Sequence, residues 1–183
     1  MKRRTIVIYV LLFAAALFLT AYSGSEAIYA QEQNEEFRLE LVVANGRVKA
    51  GEPIDCKAIL TYVGEEESFQ AYYMEKGIVM FALGGGEYFY GEMDLATIQP
   101  GRGEKRVFYK DEPVEIPFYK RMLKNRYLRN EDEAAAAFWK EYLAEPELIL
   151  ERGKYEIIAE FAYGDEPTGA GGYVSASVNI TVR

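Results

Sequence analysis

Histidine is absent from the 183 residues, cysteine occurs once, as Cys56, and tryptophan once, as Trp139. Without histidine there is no Ser-His-Asp or Cys-His nucleophile system, no classical zinc finger and no His-ligated haem. A lone cysteine excludes an internal disulfide. Positive charge is also in short supply, with 21 Lys and Arg against 29 Asp and Glu, a formal balance of −8. Long-range repulsion then disfavours nucleic acid and other polyanions as partners. The chain is half apolar and 27% charged, which excludes disordered, collagen-like and coiled-coil classes and fits one globular domain. What is abundant is tyrosine, phenylalanine and glycine, at 15, 10 and 16 copies, a composition that leans toward strands and tight turns.

Lys2, Arg3 and Arg4 precede an uncharged apolar stretch from Ile6 to Ala21. The run is shorter than the roughly 20 residues of a spanning helix, so a cleaved signal peptide over residues 1–27 is expected, with no stable membrane insertion after cleavage. Ser25-Glu26-Ala27 and Ile28-Tyr29-Ala30 each offer a cleavage site, after Ala27 or after Ala30. Residues 1–27 hold Lys2, Arg3, Arg4 and Glu26, so the remainder carries 18 basic and 28 acidic residues, a formal −10. Leu19 to Ser25 resembles a lipoprotein lipobox except that Tyr22 stands where the lipid-bearing cysteine would be. A phenol forms no thioether, so the expected product is exported, secreted or envelope-associated, without a lipid anchor.

Residues 28–36 are polar and acidic and read as a solvated leader. From Phe37 the pattern is that of strands. Phe37, Leu39, Leu41 and Val43 alternate with more polar neighbours, and Ile54, Cys56, Ala58, Leu60 and Tyr62 repeat the period of two. Further extended runs are expected at 69–74, 78–83, 87–93, 105–110, 114–116, 154–163 and 173–182. Gly84-Gly85-Gly86 suits a hairpin, and no Lys-Ser/Thr pair follows it to make a phosphate loop. Some eight short strands separated by turn signals predict a mainly β, antiparallel sandwich over 37–183.

Residues 117–148 change period and predict a two-helix insert. Tyr119, Met122, Leu123 and Tyr127 share one helical side with a concentration of Lys and Arg around them. Asn130 is placed to cap a second helix carrying Phe138, Trp139, Tyr142 and Leu143, ended by Pro146. Glycine-rich residues 164–172 form a long exposed loop between the last two strands. Candidate binding residues are therefore Trp139, Tyr142, Tyr119 and Tyr127 of the insert, and Asp165 and Thr168 of the loop.

Leu150, Gly153 and Tyr155 match the L-x-x-G-x-Y spacing of the tyrosine corner in immunoglobulin-like sandwiches. Together with Val48 to Ile54 and the strand ending in Tyr62-Val63-Gly64, the chain resembles secreted bacterial immunoglobulin-like domains, including the Gram-positive proteinase-inhibitor-like family. The resemblance covers residues 37–116 and 148–183. It implies an immunoglobulin-like fold with Leu150, Gly153 and Tyr155 in structural roles, and proteinase inhibition as one possible activity. Cys56 occupies the first position of the disulfide found in such domains and Ile157 the second, so Cys56 is expected to be a buried small hydrophobe.

No cofactor, metal centre or catalytic residue is indicated. Acidic turns such as Glu65-Glu66-Glu67 lack calcium-loop spacing, and nothing distinguishes one carboxylate pair from another. Tyr72, Tyr73, Tyr88, Phe89, Tyr90, Phe108, Tyr109, Phe118 and Tyr119 crowd the middle of the chain. Neighbouring residues on a strand point to opposite faces, so either the insert covers these rings or some form an exposed row. The expected function is a non-catalytic module of the cell envelope that binds a protein or a glycan at the surface. Carbohydrate binding through exposed aromatics is one alternative and proteinase inhibition the other.

Overall fold

The computed structural model describes residues 27–45, 47–73, 77–86, 89–90, 104–120, 133–166 and 171–183. They are mainly β. One antiparallel sheet has the order β1 (Ile28–Gln33), β2 (Phe37–Val43), β3 (Cys56–Tyr62) and β8 (Pro113–Pro117). A second has the order β10 (Tyr173–Val182), β9 (Gly153–Ala162), β5 (Met80–Gly85) and β6 (Phe89–Tyr90). A separate two-stranded ribbon pairs β4 (Ser68–Tyr73) with β7 (Glu104–Tyr109).

The period of two is what packs these sheets together. Alternate residues of β2 and β10 are buried, and Phe37, Leu39, Leu41 and Val43 join Ile157, Ala159 and Phe161 of β9 in one core. At one end Phe37 gathers five rings: Tyr163 at 4.7 Å, Phe161 at 4.9 Å, Phe108 at 5.2 Å, Tyr62 at 5.5 Å and Phe69 at 5.7 Å. Those rings come from both sheets and from the ribbon, which is thereby fastened to the core. Pro113 and Pro117 bracket β8 and supply no N–H to its strand, which blunts that sheet edge.

Residues 28–33, expected as leader, form an edge strand instead. Ile28 pairs with Val43 and Gln33 with Arg38, and Ile28 and Ala30 pack against the core while the intervening residues face water. An edge strand needs few apolar residues, which is why its polarity misleads. Asn34 makes the turn: its Oδ1 accepts the N–H groups of Glu36 and Phe37 at 3.0 and 2.7 Å.

The two-helix insert is also corrected. Among the described residues there is one helix, α1 (Glu133–Ala144). Tyr119 and Lys120 are described and are not helical, while 121–129, the rest of the expected first helix, and Asn130, the expected cap of the second, lie outside the described residues. Both described side chains act as anchors. The Tyr119 hydroxyl donates to the Val79 carbonyl at 2.9 Å, and the Lys120 ammonium donates to the carbonyls of Tyr142 and Glu145, each at 2.8 Å. Those carbonyls end α1, which has no basic residue in its own last turn, so Lys120 satisfies them from another segment.

β5 and β6 pair as the expected hairpin, but Gly84 and Gly85 belong to β5, opposite Tyr90 and Phe89, rather than to the link; Gly85 and Gly86 take φ +94° and +62°. Gly85 serves a second purpose, because a Cβ there would lie 2.3 Å from the Lys154 carbonyl of β9.

Candidate binding surface

The ribbon has two unlike faces. Ala71, Tyr73 and Phe108 are buried and Phe69 is packed against the core, so strand alternation sends Ser68, Gln70, Tyr72, Val107 and Tyr109 to the other side. On that side Tyr109 is 56% exposed and Val107 43%, and Tyr72 is partly exposed. Register places Tyr109 opposite Ser68, Val107 opposite Gln70 and Lys105 opposite Tyr72, which makes one diagonal row across the two strands. Gln70 donates from Nε2 to the Tyr72 hydroxyl at 3.0 Å.

Backbone bonds hold both ends of the ribbon. The N–H and C=O of Tyr72 pair with those of Gly164, at 2.9 Å each. At the other end the Lys110 N–H reaches the Glu67 carbonyl at 3.0 Å, and the Asp111 N–H reaches the Tyr62 carbonyl at 3.0 Å. Asp111 takes φ 61° to make that turn, a left-handed position that aspartate tolerates better than most side chains.

The bridge to Gly164 brings the base of the 164–172 loop beside β4. Asp165 and Glu166 are exposed there, and Thr168 lies outside the described residues. The returning stem is fixed as well: the Tyr163 N–H donates to the Gly172 carbonyl at 3.1 Å. A Cβ on Gly171 would fall 1.3 Å from the Tyr163 carbonyl oxygen, so this close approach requires glycine. The Tyr163 hydroxyl donates to Glu36 at 2.7 Å and accepts from Asn34 Nδ2 at 3.0 Å, tying the first hairpin across to the second sheet.

The described insert residues expected to bind, Trp139, Tyr142 and Tyr119, pack against the core. Tyr142 is buried and Trp139 and Phe138 are half-buried, packed on one another with centroids 5.5 to 5.9 Å apart. The Lys120 ammonium sits 4.1 Å from the centre of the Tyr142 ring. Burial holds that ammonium below its usual pKa, with Glu145 opposing, and pushes the Tyr142 phenol up. Tyr119 is half-buried, its ring edge-on to Phe81 at 5.7 Å. Tyr127 lies outside the described residues.

Val107 is the member of the exposed row that the sequence pattern did not single out. Tyr72-Tyr73 and Phe108-Tyr109 each force one ring outward, but which one depends on the ribbon's pairing with the core. Of the residues assigned structural roles, Leu150, Tyr155 and Cys56 are buried. The Tyr155 ring lies over Gly153, where an added Cβ would come within 3.1 Å of it. Burial pushes the Cys56 thiol up to about 12, so it is not a ready nucleophile.

One carboxylate is buried outside the core. Glu160, 7% exposed on the outer side of β9, accepts the Tyr173 hydroxyl at 2.5 Å on Oε1, while its Oε2 has no hydrogen-bond partner. Burial raises its pKa against that hydrogen bond, and burial with the same bond pushes the Tyr173 phenol up to about 12.

Among the described residues no three His, Cys, Asp or Glu side chains converge as metal ligands, and no helix is long and apolar enough to cross a membrane. Compared with protein-family models, with curated proteins and with solved structures, the chain matches none.

Proposed function

We propose that this chain is an exported, non-catalytic, immunoglobulin-like module of the bacterial cell envelope that binds a protein through the outer face of the β4–β7 ribbon. The observation that carries the reading is the row of Tyr109, Val107 and Tyr72, left in water on a ribbon whose opposite face is locked into the core. Exposed apolar side chains in a contiguous row mark contact surfaces, and tyrosine supplies contact area at low entropic cost. The rigid backbone beneath means little ordering is needed on binding.

A protein fits the row better than a sugar. Its centre is Val107, which offers no π face, and the two tyrosines stand four register positions apart, about 13 Å along the strand. The immunoglobulin-like part is supported by the β10-β9-β5-β6 order, by the parallel bridge of Val48 to Val182, and by the Tyr155 ring folded over Gly153 after buried Leu150. Lys2 to Arg4 followed by an uncharged run supports export.

A photocrosslinking amino acid placed at 109, with position 29 as control, tests the reading in the cell that exports the protein. Tyr29 is a similarly exposed tyrosine, 52%, on the first sheet's edge. Adducts at 109 and not at 29 are expected; none at 109, or equal yields at both, would overturn the assignment.

A further inference from the structure

Resting on the ribbon's outer face as the binding surface, we infer that the partner is a protein presenting a cationic segment, with an apolar side chain set between lysine or arginine residues. The apolar row has an acidic border. Glu65, Glu66 and Glu67 lead directly into Ser68, the register partner of Tyr109, and Asp111 and Glu112 follow β7 on the same end. All five are exposed. The cation among them, Lys110, directs its ammonium to the Glu65 carbonyl at 3.4 Å.

At the other end of the row, the Tyr72–Gly164 bridge sets exposed Asp165 and Glu166 alongside β4. There Lys105 and Arg106 are the opposing charges, and Arg106 lies 5.6 Å over the Phe108 ring. Ion pairs among the described residues, Lys49–Glu52 and Lys57–Glu115, use none of the border carboxylates. Among the described residues, then, no ion pair neutralises the border carboxylates.

Complementarity of this kind sets partner choice and encounter rate more than final affinity. Carboxylates within about a Debye length, roughly 8 Å, of the row attract a basic segment and repel an acidic one. The −10 balance beyond residue 27 acts in the same direction at longer range. An apolar side chain of the partner then lodges on Val107 between the two tyrosines.

The experiment maps the segment crosslinked at position 109 by mass spectrometry, in the parent protein and in the charge-reversed variant Glu65→Lys, Glu66→Lys, Glu67→Lys. The expected segment carries a net positive charge, and charge reversal lowers adduct yield by about tenfold or more. Raising the salt concentration lowers the parent yield in the same sense. The neutral variant E65Q/E66Q/E67Q falls between the two, which separates charge from any loss of folding. An adduct on a neutral or acidic segment, a glycan or a second copy of this chain overturns the inference while leaving the ribbon assignment standing. So does a yield that survives charge reversal in a folded protein. Absence of any adduct at 109 removes both.

Discussion

Phe37 is where the two sheets and the ribbon meet, and its ring is fully buried among five others. Truncation there leaves a void bounded by rigid rings that cannot collapse into it. Phe37→Ala should cost about 3–5 kcal/mol, read from the midpoint of urea unfolding. Glu160 gives the opposite kind of residue. The folded chain holds its proton more tightly than the unfolded chain does, because burial raises the carboxyl above its ordinary 4.5. Its contribution to stability is therefore full below that value and is lost as pH rises through the folded-state pKa. Glu160→Gln, neutral at every pH and still able to accept from Tyr173, should melt a few degrees higher than the parent at pH 7, with the gain shrinking toward pH 4. A thermal melt series across that range checks the sign. Cys56 should resist thiol reagents in the folded protein and react within minutes in urea.

Among the elements, β1 makes the choice between the two proposed cleavage sites consequential. Cleavage after Ala27 leaves Ile28–Gln33 whole, whereas cleavage after Ala30 removes Ile28 and Ala30 from the core and the Tyr29–Glu40 hydrogen bond of 2.7 Å. N-terminal sequencing of the exported protein should read from Ile28, and a chain begun at Gln31 should melt several degrees lower. How far the elements were readable follows from what each strand must bury. β2 and β10 bury every second residue, and β3 and β9 bury that alternate set together with neighbours such as Thr61, Ile158 and Glu160, so the period of two stands in the sequence of all four. β1 is an edge strand with two shallow apolar contacts, so its composition looks like a leader. Tyr119 and Lys120 carry a helical spacing that their hydrogen bonds to Val79 and the end of α1 override. The sidedness of β4 and β7 was out of reach for a different reason. β4 alternates and β7 buries Phe108 alone, but the face turned to Phe37 is decided by pairing with distant Tyr62 and Gly164. The candidate surface was therefore only half visible: Tyr72, Tyr109 and Asp165 were in view, Val107 was not, and Trp139 and Tyr142 pointed to packing.

Over the whole molecule, the ribbon is a clamp on one side and a surface on the other. Its inner residues join both sheets at the end of the sandwich where β9 finishes, and its outer residues stand free above an acidic border. Stability and binding are thus assigned to alternate residues of the same strand. Phe108→Ala should destabilise by about 3–5 kcal/mol, while changes at its two chain neighbours on the opposite face, 107 and 109, should leave the fold intact. The most direct measurement is the retention of the double variant Val107→Lys, Tyr109→Lys on the surface of the exporting cell, alongside its melting temperature. A melt within about 2 °C of the parent is expected, since both positions are exposed, together with a loss of most surface retention. Retention at the parent level in a folded variant would contradict the ribbon assignment.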